Sequence, residues 1–295
     1  MDLTIGPNAF FWDADAVRVF YADMAKSPVA RVVIGEWVCS KRLPFWQHEI
    51  PTAIEMLQAA GKEVAITSLA LITLKRERKQ TAEIARMSLP VEVNDLTALF
   101  HIPKGTPFWV GPMVNVYNEG TLRWLAARGA TRICLPPELP LASVEVLART
   151  GAELGVAVEV WGHGRAPLAI SGRCYHARLH DRAKDNCLFV CKEDPDGRDV
   201  DTLDGQAFLT VNGVQTMGRA ITTVATQIDD LRAAGVSSLR LSPHIGDFSA
   251  VTAAYAAALG GAPGLVDTLA RLMPEASFCD GFLAGQPGAS RVANL

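Results

Sequence analysis

Three cysteines fall close together in the segment RCYHARLHDRAKDNCLFVC, where Cys174, Cys187 and Cys191 are spaced C-x12-C-x3-C. Crowded thiolates are soft donors that suit zinc or an iron-sulfur cluster, and either centre needs a fourth ligand from elsewhere in the chain. Cys39, in GEWVCSKR, is the best-placed candidate. Structural zinc sites are commonly built from two close cysteine pairs, whereas this set is one close pair and two remote singles. The spacing therefore favours a cluster and leaves zinc or redox-active thiols as alternatives. Cys134, inside the apolar run RICLP, reads as a small buried hydrophobe, and Cys279 has no evident partner, so neither joins the set.

A site drawn from residues this far apart needs a scaffold that returns the chain repeatedly to one face. Short β-branched runs occur at Leu3–Gly6, Arg31–Val38, Glu63–Ala70, Val91–Asn94, Phe108–Val116, Arg132–Leu135, Val156–Trp161 and Ser238–Ser242. Helical spacing lies between them at Asp13–Ala25, Phe45–Ala60, Thr121–Ala127, Ala142–Leu154 and Thr222–Ala234. Gly61, Gly129, Gly155 and Gly235 follow four of these segments, as expected at left-handed helix ends. Eight strand-helix units predict an α/β fold, a (β/α)8 barrel-like single domain over residues 1–295, although a doubly wound sheet shares the local pattern. An insert over 171–219 breaks the rhythm, with three of the cysteines, an Asp-Pro-Asp-Gly turn and a hairpin-like VDTLDGQAFLTVNG. It is placed after the seventh strand. In a barrel the ends of strands two and seven open on one face, which brings Cys39 towards the insert.

The same face nominates pocket residues at strand ends: Glu36, Asn94, Asn115, Glu138, His163 and Ser242. His163 has the chemistry to protonate a ligand, but a histidine there is more often structural. Glu36 and Glu138 are read as turn or helix-capping groups. Arg173 and Arg178 offer guanidinium forks for a dicarboxylate, and Lys41, Arg42, Arg173 and Arg178 together form either a positive surround for a cluster or a solvated rim. His176 and His180 are discounted as ligands and read as water-facing.

The chain carries 31 acidic against 28 basic residues, a net charge of −3, which gives no sequence-wide field for nucleic acid. The opening MDLTIGPNAFFWDADAVRVFYAD lacks the basic start of a signal peptide, and no apolar run is long enough for a membrane span, so a soluble, cytoplasmic protein is expected.

The segment VEVWGHGRAPLAISGRCYHARLHDRAKDNCLFVC resembles the signature of the collagenase-like peptidase family. GPNAFFW, GEWVCSKR, Pro167 within GRAPLAISGRC, VNGVQTM and RLSPH extend the likeness over essentially the whole chain and point to its ubiquinone-biosynthesis branch. The resemblance implies a barrel-like domain, a 4Fe-4S cluster on Cys39, Cys174, Cys187 and Cys191, and an oxygen-independent hydroxylase. It further implies a heterodimer with a UbiU-like protein, a UbiT-like lipid carrier, a prenylated phenol as substrate and prephenate as oxygen donor. Hydroxylation of RNA, a scaffold or assembly role, and peptidase activity are the alternatives within the family. No G-x-S-x-G elbow or H-E-x-x-H helix supports proteolysis.

Overall fold

The computed structural model describes residues 1–292, so the last three residues of the expected 1–295 span lie outside the described chain. In chain order the strands are β1 (Asp2–Ile5), β2 (Arg31–Ile34), β3 (Glu63–Thr67), β4 (Val91–Val93), β5 (Phe108–Val110), β6 (Ala130–Cys134), β7 (Ala157–Ile170), β8 (Arg198–Asp201), β9 (Ala207–Asn212), β10 (Gln215–Thr223), β11 (Ser238–Leu241) and β12 (Phe278–Cys279). The helices are α1 (Ala14–Lys26), α2 (Ile50–Ala59), α3 (Lys75–Ile84), α4 (Glu119–Ala126), α5 (Leu141–Leu154), α6 (Tyr175–Arg178), α7 (Ile228–Ala233), α8 (Phe248–Leu259) and α9 (Leu265–Leu272). Strands β1 to β7 pair in parallel in sequence order, and β11 closes the ring by pairing with both β1 and β7. The result is the expected (β/α)8 barrel. Among the described residues no helix is long and apolar enough to cross a membrane.

The local chemistry explains the elements. Asp13 accepts a hydrogen bond from the Ala16 amide (2.9 Å) and starts α1, and Asp247 does the same for α8 through Ala250 (2.9 Å). Gly155 ends α5 at φ 69°, a conformation that costs a Cβ-bearing residue free energy. The predicted segment Thr222–Ala234 is corrected at its start. Thr222 and Thr223 finish β10, and the helix begins only at Ile228. Two consecutive β-branched residues fit the pleat better than a helix.

The insert leaves the barrel because β7 does not stop at Trp161. It runs on to Ile170, and β10 returns antiparallel beside it, with β9 and β8 added outward. The predicted hairpin is the β8–β9 pair. Between Ile170 and Arg198 the chain makes α6 and short irregular turns, and this is where the three insert cysteines sit.

The barrel interior holds charge that the strand reading missed. Arg240 on β11 donates to Glu92 on β4, directly opposite across the ring, at 2.6 Å, and also to Glu159 on the adjacent β7. Glu159 further accepts from Ser238 (2.9 Å), and Arg132 lies 3.8 Å away. Arg240, Glu92 and Glu159 are at most 1% exposed. Burial alone raises the pKa of Glu159, but Arg240 and Arg132 outweigh it and hold the group down to about 2. Cys134 is buried as expected, yet its thiol lies beside this network; burial pushes its pKa well up.

Candidate functional site

The loop after β2 is shaped by one buried carboxylate. Glu36 accepts from the amides of Val38 (2.8 Å) and Cys39 (3.0 Å), which fixes the turn that presents Cys39. Burial pushes the Glu36 pKa up, while Arg42 and the two amides oppose that shift. The expected turn role of Glu36 is the observed one. Two residues past Cys39, Lys41 reaches the insert, donating to the Lys184 carbonyl at 2.7 Å with the Cys187 sulfur 3.7 Å away.

On the insert, Cys174 caps α6, its Sγ accepting from the Ala177 amide at 3.4 Å. Leu188 and Phe189, between Cys187 and Cys191, both have left-handed backbones at φ 47° and 57°. Such residues are unfavourable without glycine and persist where the surroundings hold them. Arg42 is buried against β9. Its guanidinium donates to the Ala9 carbonyl (2.9 Å) and Asn212 Oδ1 (2.7 Å), while its buried Nε has no hydrogen-bond partner. Burial opposes its charge, but Cys191, Glu36 and Cys39 outweigh that and raise its pKa. Burial raises the pKa of the Cys174 thiol, opposed by the hydrogen bond it accepts from the Ala177 amide and by Arg42, and burial also raises Cys39. Lys41 lies against Cys187 and Arg42 acts electrostatically on Cys39, Cys174 and Cys191, none of which is in a disulfide.

Gly213, in the turn between β9 and β10, is part of this arrangement, and sequence reasoning did not single it out. Its φ is +63°, and a Cβ there would stand 2.6 Å from Arg42 Nη2. The VNG turn was the available signal.

His176 is corrected from water-facing to fully buried. Its Nε2 lies 2.8 Å from Asp194 Oδ2, and its Nδ1 faces the Gly213 amide at 3.5 Å, so the ring donates to the carboxylate and accepts from the backbone. His180 stacks on it with centroids 5.8 Å apart. His176, His180 and Asp194 present donor atoms within 4.8 Å of one another, but with both nitrogens of His176 engaged they form a brace between the Cys174 and Cys191 arms. No three cysteine thiols approach each other that closely among the described residues.

The other strand-end candidates do not assemble. His163 is fully buried, 3.1 Å from His244 Nε2 and 3.3 Å from the Tyr255 hydroxyl, and burial with His244 beside it lowers its pKa well below the usual value. It is structural, as the commoner reading of such a histidine holds. Asn94 binds Thr67 (3.0 Å) and Glu92 (3.1 Å) inside the barrel, and the Ser242 amide bonds the His163 carbonyl. Asn115 is exposed in a left-handed turn, and Glu138 accepts from Tyr117. Arg173 and Arg178 are exposed on the insert. A cavity of ≈ 660 Å³ nearby is lined instead by Phe11, Trp12, Phe20, Lys192, His244 and Phe248 among others, none of them nominated.

The family model for Peptidase family U32 matches residues 12–291. The chain belongs to peptidase family U32. Two solved structures are similar at a TM-score of 0.38, too low to carry an argument about a U32 chain. One is a GH10 endoxylanase from a sugarcane soil metagenome, at 7% identity over 58% of this chain and 70% of that one. The other is a putative fructose-1,6-biphosphate aldolase from Coccidioides immitis, at 10% identity over 93% and 83%. Among the described residues no serine or cysteine side chain hydrogen-bonds a histidine; the histidine side chains bond one another, Tyr255, Asp194 and backbone groups.

Proposed function

We propose that Cys39, Cys174, Cys187 and Cys191 hold a 4Fe-4S cluster, and that the chain is the UbiV-like iron-sulfur subunit of an oxygen-independent hydroxylase in anaerobic ubiquinone biosynthesis. The observation that carries this reading is the docking of the Cys39 loop on the insert through Lys41 and Arg42, which puts two cations among four reduced thiols. A cluster with thiolate ligands carries net negative charge, and neighbouring cations and hydrogen bonds tune its potential. The orphaned Nε of Arg42 is a donor with nothing yet to bond. Zinc fits less well: bonds of about 2.3 Å require all four sulfurs about 3.8 Å from one another, and no three of these thiols lie within 4.8 Å of one another among the described residues.

When bound, such a cluster supplies one-electron transfer. The chain's own residues do the rest: Glu36 and the His176–Asp194 brace orient the cysteine arms, and Arg42 and Lys41 balance charge. Arg173 and Arg178, exposed on the same insert, are suited to grip the carboxylates of prephenate as oxygen donor. The partners in this reading are a UbiU-like protein and a UbiT-like lipid carrier, with a prenylated phenol as substrate in the cytoplasm.

The test is anaerobic purification followed by visible spectra and iron and sulfide assay of the wild type and of each cysteine-to-alanine variant. About four irons per chain is expected, lost on changing Cys39, Cys174, Cys187 or Cys191 and kept in Cys134→Ala and Cys279→Ala. A colourless protein with about one zinc would overturn the redox reading.

A further inference from the structure

The cavity between the β1–α1 and β11–α8 connections has largely apolar walls and a charged rim. Phe11, Trp12, Phe20 and Phe248 supply aromatic faces, with Trp12 and Phe20 edge to face at 5.4 Å, and Val19 and Ile245 add aliphatic surface. Its volume of ≈ 660 Å³ suits a ligand of several rings or a ring with a chain. His244 contributes an imidazole whose nitrogens are already engaged, Nδ1 with the Ile245 carbonyl at 2.7 Å and Nε2 with His163 at 3.1 Å. It therefore offers the cavity ring surface and no spare base.

The charged rim narrows the ligand class. Asp13 and Asp247 are spent as helix caps, Asp15 pairs with Arg18 at 2.8 Å, and Asp23 lies 3.9 Å from Lys26. These carboxylates set a negative field around the mouth, which disfavours an anion. Being capped, paired or solvated, they do not form a dedicated cation site. Lys192 is the cation in the lining.

The cavity also adjoins the cysteine-bearing insert. Phe11 packs against Phe45 (5.2 Å) and Phe189 (6.0 Å), and Phe189 lies between Cys187 and Cys191. Lys192 directly follows Cys191, and the Trp12 indole donates to the Pro195 carbonyl at 2.8 Å.

We propose that this cavity binds a neutral, flat aromatic ligand and excludes anionic ones, so that any carboxylate-bearing co-substrate must approach from another side. The inference rests on the redox reading for the ligand's role beside the cysteines, while the binding itself is tested independently. The full-length chain, purified without oxygen, is titrated with a naphthol, neutral at pH 7, and with the corresponding naphthoate, following probe and tryptophan fluorescence; iron is assayed on the same samples. The naphthol is expected to bind at least tenfold more tightly than the naphthoate. Ala16→Phe, which fills the cavity, and Val19→Asp, which adds charge at a position 61% exposed and so tolerant of substitution, are each expected to weaken naphthol binding at least tenfold without changing iron content. Equal binding of the two probes, or unchanged affinity in both variants, would overturn the proposal. An iron-free chain that still binds naphthol loses the redox reading and keeps this one. An iron-bearing chain that binds none loses only this one.

Discussion

The barrel interior and the insert both bury arginine, but they treat its charge in opposite ways. Arg240 sits between two carboxylates, Glu92 and Glu159, and each fully buried charge has a counter-charge within hydrogen-bond reach. Arg42, equally buried, is met by one backbone carbonyl, one amide oxygen and a set of thiols, with Glu36 the carboxylate among its charged neighbours. Buried charge is costly unless paired. The first region is electrostatically closed, whereas the second is arranged around positive charge that an anionic centre would complete. A cysteine is present in both, Cys134 beside Arg240 and Cys191 beside Arg42, so the contrast lies in the surrounding charge and not in the residue type.

The largest effect is expected from breaking the closed region. Arg240→Met leaves Glu92 and Glu159 buried without their principal cation and should cost about 3–5 kcal/mol of unfolding free energy, measured by denaturant titration. If the contrast is right, the variant that still folds keeps its iron content. Arg42→Met should show the reverse balance. Losing donors to Ala9 and Asn212 costs about 1–3 kcal/mol, and under the proposed cluster reading iron content falls and the remaining centre has a reduction potential lower by at least about 59 mV, one tenfold step for a single electron. An Arg42→Met protein with wild-type iron and potential would erase the distinction between the two regions.

Acid acts on the barrel more gently. The histidines His163 and His244 are buried with lowered pKa values, His163 through burial and His244 beside it, His244 chiefly through burial. The unfolded chain takes up protons on them below about pH 6.5 while the folded chain does not, so stability should fall as pH drops from there, by up to about 1.4 kcal/mol per unit for each histidine. Glu159 works at lower pH. Its depressed pKa contributes stability that is complete above the unfolded value of about 4.3 and is lost as pH falls towards about 2. Unfolding free energy measured between pH 7 and 4 should therefore decline through the histidines first, and His163→Gln should flatten that decline.

Much of the architecture was legible because its signals are local. β-Branched runs marked all eight barrel strands, and positive-φ glycines follow the helices at Gly61, Gly129, Gly155 and Gly235 as expected. The extent of β7 was not, since nothing in Gly162 to Ile170 distinguishes a strand that continues outward from one that ends at Trp161. The identity of the insert and its cysteines could be read from spacing. The pocket could not: Phe11, Trp12, Phe20 and His244 look in sequence like ordinary core residues, and only their placement around one hollow gives them a shared role.

What the sequence by itself determined was the eight barrel strands, five of the helices, the position of the insert and the crowding of three cysteines, because periodicity and spacing are properties of neighbours along the chain. Tertiary structure decided the rest. Arg240 meets Glu92 only because β11 and β4 face each other across a closed ring. Lys41 reaches Cys187 only because that ring returns the end of β2 to the face from which the insert springs. These pairings join residues 148 and 146 positions apart, and no local pattern encodes a contact that barrel closure alone creates.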